Sequence, residues 1–226
     1  MRRLWDISPP LGSGSPAFPG DTPYAQTWAA TLAPDNPVNV SAITLSPHLG
    51  AHADAPLHYA AGGAPIGALD LDPYLGPCRV VHAIGCGPLV EVAHLERAFA
   101  DGEAPQRVLV RTAERALVDR WSDAFTAYAA ETIAWLADRG VRLVGIDTPS
   151  VDPATSKELP SHQVLLARDL RVLENLVLDD VPEGDYELIA LPLKLVDADA
   201  SPVRAVLRAL EAPRDSHDPL AALDLR

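Results

Sequence analysis

The sequence predicts a single mixed α/β domain, and three observations indicate this fold class. The chain has 226 residues, of which 48% are hydrophobic and 22% charged, and these proportions are typical of a globular domain with a sizeable core. Segments with the pattern of β-strands outnumber those with the pattern of helices. Only some of the strands alternate with helices, so a mixed sheet is favoured over a regular parallel one. We therefore treat residues 1–226 as one domain.

The first 40 residues form a proline-rich arm of this domain. Many of the 22 prolines fall in it, and because proline fixes φ and removes a backbone donor, turns and short extended pieces are expected. Phe18, Tyr24 and Trp28 stand among these prolines, and a solvated linker has little use for aromatic side chains. We expect the arm to pack at the functional site or at a dimer interface, although an ordered surface loop fits the pattern equally well.

Six segments have the residue types and alternation of β-strands. The first reads Val-Asn-Val-Ser-Ala-Ile-Thr-Leu, in which apolar and polar side chains alternate loosely. The others are short runs rich in aliphatic residues. In chain order, the predicted strands are residues 38–45, 79–84, 107–112, 142–146, 175–178 and 187–195.

Three helices are predicted. Residues 89–100 carry acidic side chains early and Arg97 late, which suits the helix dipole. Residues 124–139 contain an apolar set that is followed by Gly140, at the position where helices commonly end. The last helix begins with Ser201 as its N-cap and Pro202 in its first turn, and it continues over residues 203–210 with an amphipathic pattern.

The charge balance and the cysteine content exclude several classes of function. Asp plus Glu number 31 against 18 for Lys plus Arg, a formal net charge of −13, which argues against a surface for nucleic acid or an anionic membrane. Cys78 and Cys86 are too few for a disulfide framework. No apolar run approaches the roughly 20 residues of a membrane span, and the N-terminus lacks the apolar core of a signal peptide. We expect a soluble cytoplasmic protein with no nucleic-acid or membrane partner.

Four metal-ligand side chains lie within eleven residues: His48, His52, Asp54 and His58. A helix through all four is disfavoured, because the ring of Pro56 would clash with the carbonyl of residue 52. In an extended chain, side chains alternate with a period of two, and all four positions are even. A roughly extended segment would therefore turn all four to the same side.

This set of residue types indicates a metal site. Neutral imidazoles and a carboxylate are the usual ligands of zinc or manganese in hydrolases, although three histidines can also serve as simple hydrogen-bonding groups. A metal would lower the pKa of a bound water and polarise a carbonyl group. His58, which lies beyond Pro56, is the candidate that donates a proton to a departing amide nitrogen.

The motif His48-x-Gly-x-His52-x-Asp54-x-Pro-x-His58 resembles the signature of the cyclase-like metal-dependent hydrolases. The resemblance extends over almost the whole chain and includes Trp-Asp-Ile-Ser at 5–8, Phe-Pro-Gly-Asp-Thr-Pro at 18–23, Gly-Ile-Asp-Thr-Pro-Ser at 145–150 and Leu-Pro-Ser-His at 159–162. Within that family, it is strongest to bacterial enzymes that hydrolyse N-formyl-L-kynurenine to L-kynurenine and formate in tryptophan degradation. The resemblance therefore implies an arylformamidase that acts on this small molecule.

The same resemblance implies a fold, an assembly and a metal centre. The fold is a swivelling β/β/α domain, with a mixed, barrel-like sheet flanked by helices, and the assembly is a homodimer. The centre holds two divalent ions, most often Zn²⁺ with Mn²⁺ as the alternative. Carried onto this chain, it assigns one ion to His48, His52 and Asp54 and the second to His162 and Glu174, with Asp54 bridging the two.

The resemblance also implies two residues that act on the substrate. His58 would be the general acid/base, and Phe18 falls where the family has an aromatic side chain that stacks on the aryl ring. By contrast, the residues alone would make His162 and Glu174 polar side chains that flank a helix, since such residues are usually surface features. Their role as ligands rests on the resemblance.

Several alternatives remain open at this point. One is a related hydrolase that opens a cyclic amide of the isatin type, and another is a metal-binding module without catalysis. A serine hydrolase is disfavoured because the chain has no Gly-x-Ser-x-Gly motif. Cys78, His82 and Cys86 share a strand face but lack a fourth ligand. The segment 147–150 follows a strand and is equally typical of a polar turn and of a substrate contact.

Overall fold

The computed structural model describes residues 2–210 and shows a mixed α/β fold built on a seven-stranded sheet. The sheet curls into a half-barrel with few helices around it, which confirms the predicted fold class. In chain order, the strands are β1 Leu4–Asp6, β2 Ala25–Ala30, β3 Val40–Thr44, β4 His52–Asp54, β5 Leu75–His82, β6 Leu89–Val90, β7 Arg107–Arg111, β8 Ala127–Tyr128, β9 Leu143–Ile146, β10 Arg171–Leu173, β11 Gly184–Ile189, β12 Ala200–Pro202 and β13 Val206–Ala209.

The helices are short. The α-helices are α1 Pro56–Tyr59, α2 Val92–Leu95, α3 Ala130–Ala137 and α4 Pro160–Ala167, and three 3₁₀ turns cover Ile66–Ala68, Asp72–Tyr74 and Glu96–Phe99. No helix within residues 2–210 is long and apolar enough to cross a membrane.

The large sheet has a parallel part and an antiparallel part. Its strand order is β1-β13-β11-β5-β7-β9-β10. Neighbouring strands from β5 to β10 run parallel, whereas β11 is antiparallel to both β5 and β13. The parallel strands end on the side where the loops after β7 and β9 carry polar residues, so these loops can build a site together.

Both faces of the parallel part are buried, which explains its continuous apolar sequence. Along β7, Leu109 belongs to one core, whereas Val108 and Val110 belong to the other. Side chains alternate along a strand, so a fully apolar run is required when each face has a core. Ile133 of α3 and Leu165 of α4 pack into the second core, which places these two helices on one face of the sheet.

Several predicted strands are confirmed, and two predicted helices are confirmed only in part. Strands occupy most of the predicted segments 38–45, 79–84, 107–112 and 142–146. The predicted helix 124–139 contains β8 and then α3, and Gly140 follows with a positive φ of 84°. The predicted helix 89–100 is divided into β6, α2 and a 3₁₀ turn.

Three predicted elements are wrong in type or position. Residues 201–210 contain the end of β12 and all of β13 instead of a helix, because Val203, Ala205 and Leu207 are buried with a period of two. The strand predicted at 175–178 lies instead at 171–173, and Asn175 adopts a positive φ of 56°. The last predicted strand, 187–195, begins at residue 184 and ends at 189.

Two small strand pairs complete the fold. Strand β4 pairs with β12, and residue 52 is also bridged to residue 174 just beyond β10. Strands β2 and β3 form a separate antiparallel hairpin within the predicted arm. The hairpin exposes Trp28 and Ile43, whose side chains are 57% and 55% accessible.

Candidate active site

The structure brings His48, His52, Asp54 and His58 together, but not through one extended segment. Only β4, with His52 and Asp54, is extended. His48 lies in the turn before it, and His58 lies in α1, whose first residue is Pro56. The rings of His48 and His58 nevertheless lie 4.2 Å apart, centroid to centroid. The predicted shared side is therefore observed, while the predicted period-two geometry over the whole segment is wrong.

Glu174 is placed beside His52 by the backbone. The amide of each residue donates to the carbonyl of the other, at N···O distances of 3.3 and 3.1 Å. The side chains then face each other, with Nε2 of His52 3.3 Å from Oε2 of Glu174. Nδ1 of His52 donates to the carbonyl of Gly50 at 2.9 Å, so Nε2 carries the free lone pair that a metal requires.

His162 completes the buried group from the first turn of α4. Its Nε2 lies 3.3 Å from Oδ2 of Asp54 and 3.8 Å from Oε1 of Glu174. Its Nδ1 lies 2.7 Å from Oδ2 of Asp152, which also accepts the His162 amide, while Oδ1 accepts the amide of Ser161. A carboxylate behind a histidine fixes its tautomer and ring orientation, so Asp152 is a positioning residue that sequence reasoning missed.

A second missed carboxylate, Asp199, holds the two outer histidines. Its Oδ2 lies 3.0 Å from Nε2 of His48 and 3.4 Å from Nδ1 of His58. The other ring nitrogen of His48, Nδ1, lies 2.9 Å from Oδ1 of Asp54. Asp199 immediately precedes β12, and the pairing of β12 with β4 brings it to the site. The sequence around residue 199 contains no pattern that predicts this contact.

The electrostatics of the buried group favour cations. Burial alone would lower the pKa of His52, but hydrogen bonds and charge interactions with Asp54 and Glu174 outweigh it and raise that pKa to about 10. The pKa of His162 is also raised to about 10, because Asp152 and Asp54 outweigh its burial. Burial opposes ionisation of Asp54, yet its histidine partners hold its pKa well below the usual range. The site therefore stabilises positive charge.

The donor set fits a divalent metal centre. Two groups of three donors, His48–Asp54–His58 and His52–Asp54–Glu174, each have ligand atoms within 4.8 Å of one another. Asp54 belongs to both, as a bridging carboxylate would. Its buried Oδ1 makes no well-formed hydrogen bond with any residue in the range 2–210, although such atoms normally have partners. Imidazole nitrogens and carboxylate oxygens are suitable ligands for zinc and manganese.

A cavity of about 520 Å³ opens over this group. Its polar lining includes His48, His58 and His162. Its aromatic lining includes Phe18, whose ring centroid is 4.9 Å from that of Trp121 at an interplanar angle of 70°. The volume lies within the roughly 300–1,000 Å³ that is usual for small-molecule sites. The predicted proximity of Phe18 to the site is thus observed.

The segment 147–150 borders the cavity, and its first two side chains support neighbouring backbone. The carboxylate of Asp147 accepts from the amides of Thr112 and Ala113 and from the Thr112 hydroxyl. Thr148 Oγ1 donates to the carbonyl of Thr126 at 2.9 Å. These bonds anchor both ends of the loop between β7 and β8.

The second candidate metal site, formed by Cys78, His82 and Cys86, is not assembled in the structure. Cys78 is fully buried in β5, and Nε2 of His82 bonds to the carbonyl of Val181 at 2.8 Å. Within residues 2–210, neither they nor Cys86 belong to a group with metal-binding geometry.

Comparisons with known proteins agree with this architecture. The sequence profile of the Cyclase family matches residues 5–153. The chain is 68% identical to the kynurenine formamidase of Bordetella petrii over 210 residues, which cover 93% of this chain and all of that relative. It is also 68% identical to the kynurenine formamidase of Paracidovorax citrulli, with 92% of this chain and 97% of the relative covered.

Solved structures show the same fold. A structure described as a potential metal-dependent hydrolase with cyclase activity matches with a TM-score of 0.80 at 29% identity, and the match covers 94% of this chain and all of that one. An isatin hydrolase bound to thioisatinate matches with a TM-score of 0.80 at 21% identity and 93% coverage of both chains. The latter likeness concerns the fold alone.

Proposed function

This chain belongs to the Cyclase family, and we propose that it is a metal-dependent arylformamidase that hydrolyses N-formyl-L-kynurenine to L-kynurenine and formate. The observation that carries this proposal is the 68% identity, over nearly the full length of both chains, to relatives named kynurenine formamidase. The buried His/Asp/Glu group beneath a cavity of suitable size supports the same activity.

The family resemblance divides the donors of this chain between two ions. His48, His52 and Asp54 would hold one ion, and His162 and Glu174 would hold the other, with Asp54 shared. When bound, the ions lower the pKa of water and polarise the formyl carbonyl. Zn²⁺ is the preferred occupant and Mn²⁺ the alternative, since this donor set accepts either.

His58 is the residue that moves the proton. It lines the cavity, and the contact of its Nδ1 with Asp199 leaves Nε2 without a hydrogen bond to any residue in the described range. An anilide anion is a poor leaving group, so the departing nitrogen needs a proton as the C–N bond breaks. Nε2 of His58 would take a proton from the attacking water and deliver it to that nitrogen.

The proposal also covers substrate binding by Phe18 and dimer formation through the β2–β3 hairpin. The ring of Phe18 is 43% exposed toward the cavity, where it can contact the aryl ring of the substrate. The exposed Trp28 and Ile43 of the hairpin would be covered by a second copy of the chain, in a homodimer. A cytoplasmic location stays a prediction.

Formate release and metal content test the activity together. The metal-loaded chain should release formate from N-formyl-L-kynurenine, lose this activity with a chelator, and regain it with Zn²⁺ or Mn²⁺. His58→Ala should keep its metal and lose turnover by about 10²–10⁴-fold. His94→Ala, outside the cavity, is the control and should match wild type. Absence of formate release, or turnover of isatin alone, would overturn the assignment, and retained metal without any turnover would identify a binding module.

A further inference from the structure

The loop between β7 and β8, residues 112–126, contributes ten of the residues that line the cavity. Trp121 and Phe125 of this loop both line the cavity, with ring centroids 6.3 Å apart, and Trp121 is in edge contact with Phe18. The loop is tied down next to Arg115. Nη2 of Arg111 donates to the carbonyl of Glu114 at 2.6 Å, and the amide of Ala116 donates to Asp179 at 2.9 Å. The backbone that carries Arg115 is therefore held on both sides.

Arg115 is a cation at the cavity whose charge has no partner. It lines the cavity and makes no hydrogen bond or ion pair with any residue in the described part of the chain. The carboxylates that line the same cavity are already engaged by neighbouring donors; these are Asp21, Asp147, Asp152, Glu174 and Asp199. The other arginine of the lining, Arg120, lies 3.7 Å from its neighbour Asp119. Of the two arginines in the cavity lining, Arg115 is thus the one that has no partner among residues 2–210.

The chemistry of the proposed substrate supplies an anion for it. N-formyl-L-kynurenine carries an α-carboxylate on the side chain next to its formamide. The molecule also carries an α-ammonium and is a zwitterion, so its carboxylate is favoured by a local cation in a protein with a net charge of −13. A guanidinium can donate two parallel hydrogen bonds to a carboxylate. We propose, on the basis of the proposed function, that Arg115 binds the α-carboxylate and makes this enzyme selective for amino-acid formanilides.

Two substrates that differ in the α-carboxylate test the proposed contact between Arg115 and that group. N-formylkynuramine has the same aryl formamide and side-chain amine but lacks the carboxylate. For the metal-loaded wild type, kcat/KM should be about 10- to 100-fold higher for N-formyl-L-kynurenine, as expected for one charge-assisted contact. Arg115→Ala should bring this ratio near one by raising KM for formylkynurenine, with kcat nearly unchanged. Arg115→Lys should recover part of the ratio, and Arg120→Ala should leave it within about two-fold of wild type.

The outcomes separate this inference from the proposed function. Hydrolysis of both substrates at equal efficiency by wild type would refute the role of Arg115 and leave the formamidase activity standing. Hydrolysis of neither would refute the proposed function and this inference with it. Equal losses on both substrates in Arg115→Ala would show a structural role instead, and collapse of the ratio in Arg120→Ala alone would move the role to that residue.

Discussion

Replacement of Asp152 by Asn should weaken metal binding without removing any proposed ligand. The two residues have the same shape, but the Asp152 carboxylate accepts three hydrogen bonds, from His162 Nδ1, the His162 amide and the Ser161 amide, at 2.7, 3.0 and 2.9 Å. An asparagine offers one oxygen, so its NH₂ group must face at least one of these donors. Whichever way the amide is placed, one donor loses its acceptor, and the imidazole of His162 loses the negative charge behind it.

The expected magnitude follows from the bond that is lost. A hydrogen bond to a charged group contributes about 1.5–3 kcal/mol. A carboxylate behind a metal-bound histidine typically contributes 10- to 100-fold in affinity, which is about 1.4–2.7 kcal/mol. The two figures agree, so Asp152→Asn should raise the dissociation constant for Zn²⁺ by about 10- to 100-fold.

The assay is competition with a chromophoric chelator, with urea unfolding of the metal-free proteins measured alongside. Asp147→Asn is the matched control, because Asp147 is also buried and accepts backbone amides but contacts no proposed ligand. The control should lose stability and keep its metal affinity. If Asp152→Asn binds Zn²⁺ as tightly as wild type, or if both variants lose affinity equally, the role assigned to Asp152 is refuted.

Three further predictions concern the fold and the assembly. Gly145→Ala places a methyl group against Leu109 and should reduce the free energy of unfolding by about 1–3 kcal/mol in urea titrations, less when combined with Leu109→Val. The Arg204 guanidinium lowers the pKa of Asp6, so the stability that this pair contributes is present at neutral pH and is lost as the pH falls through that lowered pKa. The urea midpoints of wild type and of Arg204→Ala should therefore differ at neutral pH and converge in acid. Trp28→Glu should shift the sedimentation coefficient from dimer to monomer, and an unchanged dimer would contradict the proposed interface.

The central strands were predictable because both of their faces are buried. The continuous apolar runs of β7 and β9 have no competing interpretation as long amphipathic helices. Residues 201–210 were mispredicted for the opposite reason. Val203, Val206, Leu207 and Leu210 have helical spacing, while Val203, Ala205 and Leu207 have strand spacing. Pairing of residues 206–209 with β11 and β1 decides between the two patterns.

The candidate site was predictable only in part. The donors within residues 48–58 are visible because they are close together in the chain. Asp152 and Asp199 are not, since each acts through contacts that tertiary structure creates; Asp199 and His48 are 151 residues apart. His162 and Glu174 were found by family resemblance, because their own neighbourhoods carry no metal-binding pattern.

The reciprocal bonds between residues 52 and 174 also constrain the order of folding. Two distant parts of the chain must meet before His52 and Glu174 face each other, and the closure of such a long loop costs entropy that few other contacts offset early. We therefore expect the complete set of metal donors to assemble late in folding. A bound metal that interacts only with the finished arrangement slows unfolding and leaves the folding rate nearly unchanged. A metal bound at this site would therefore stabilise the native state by slowing its unfolding, without speeding its folding.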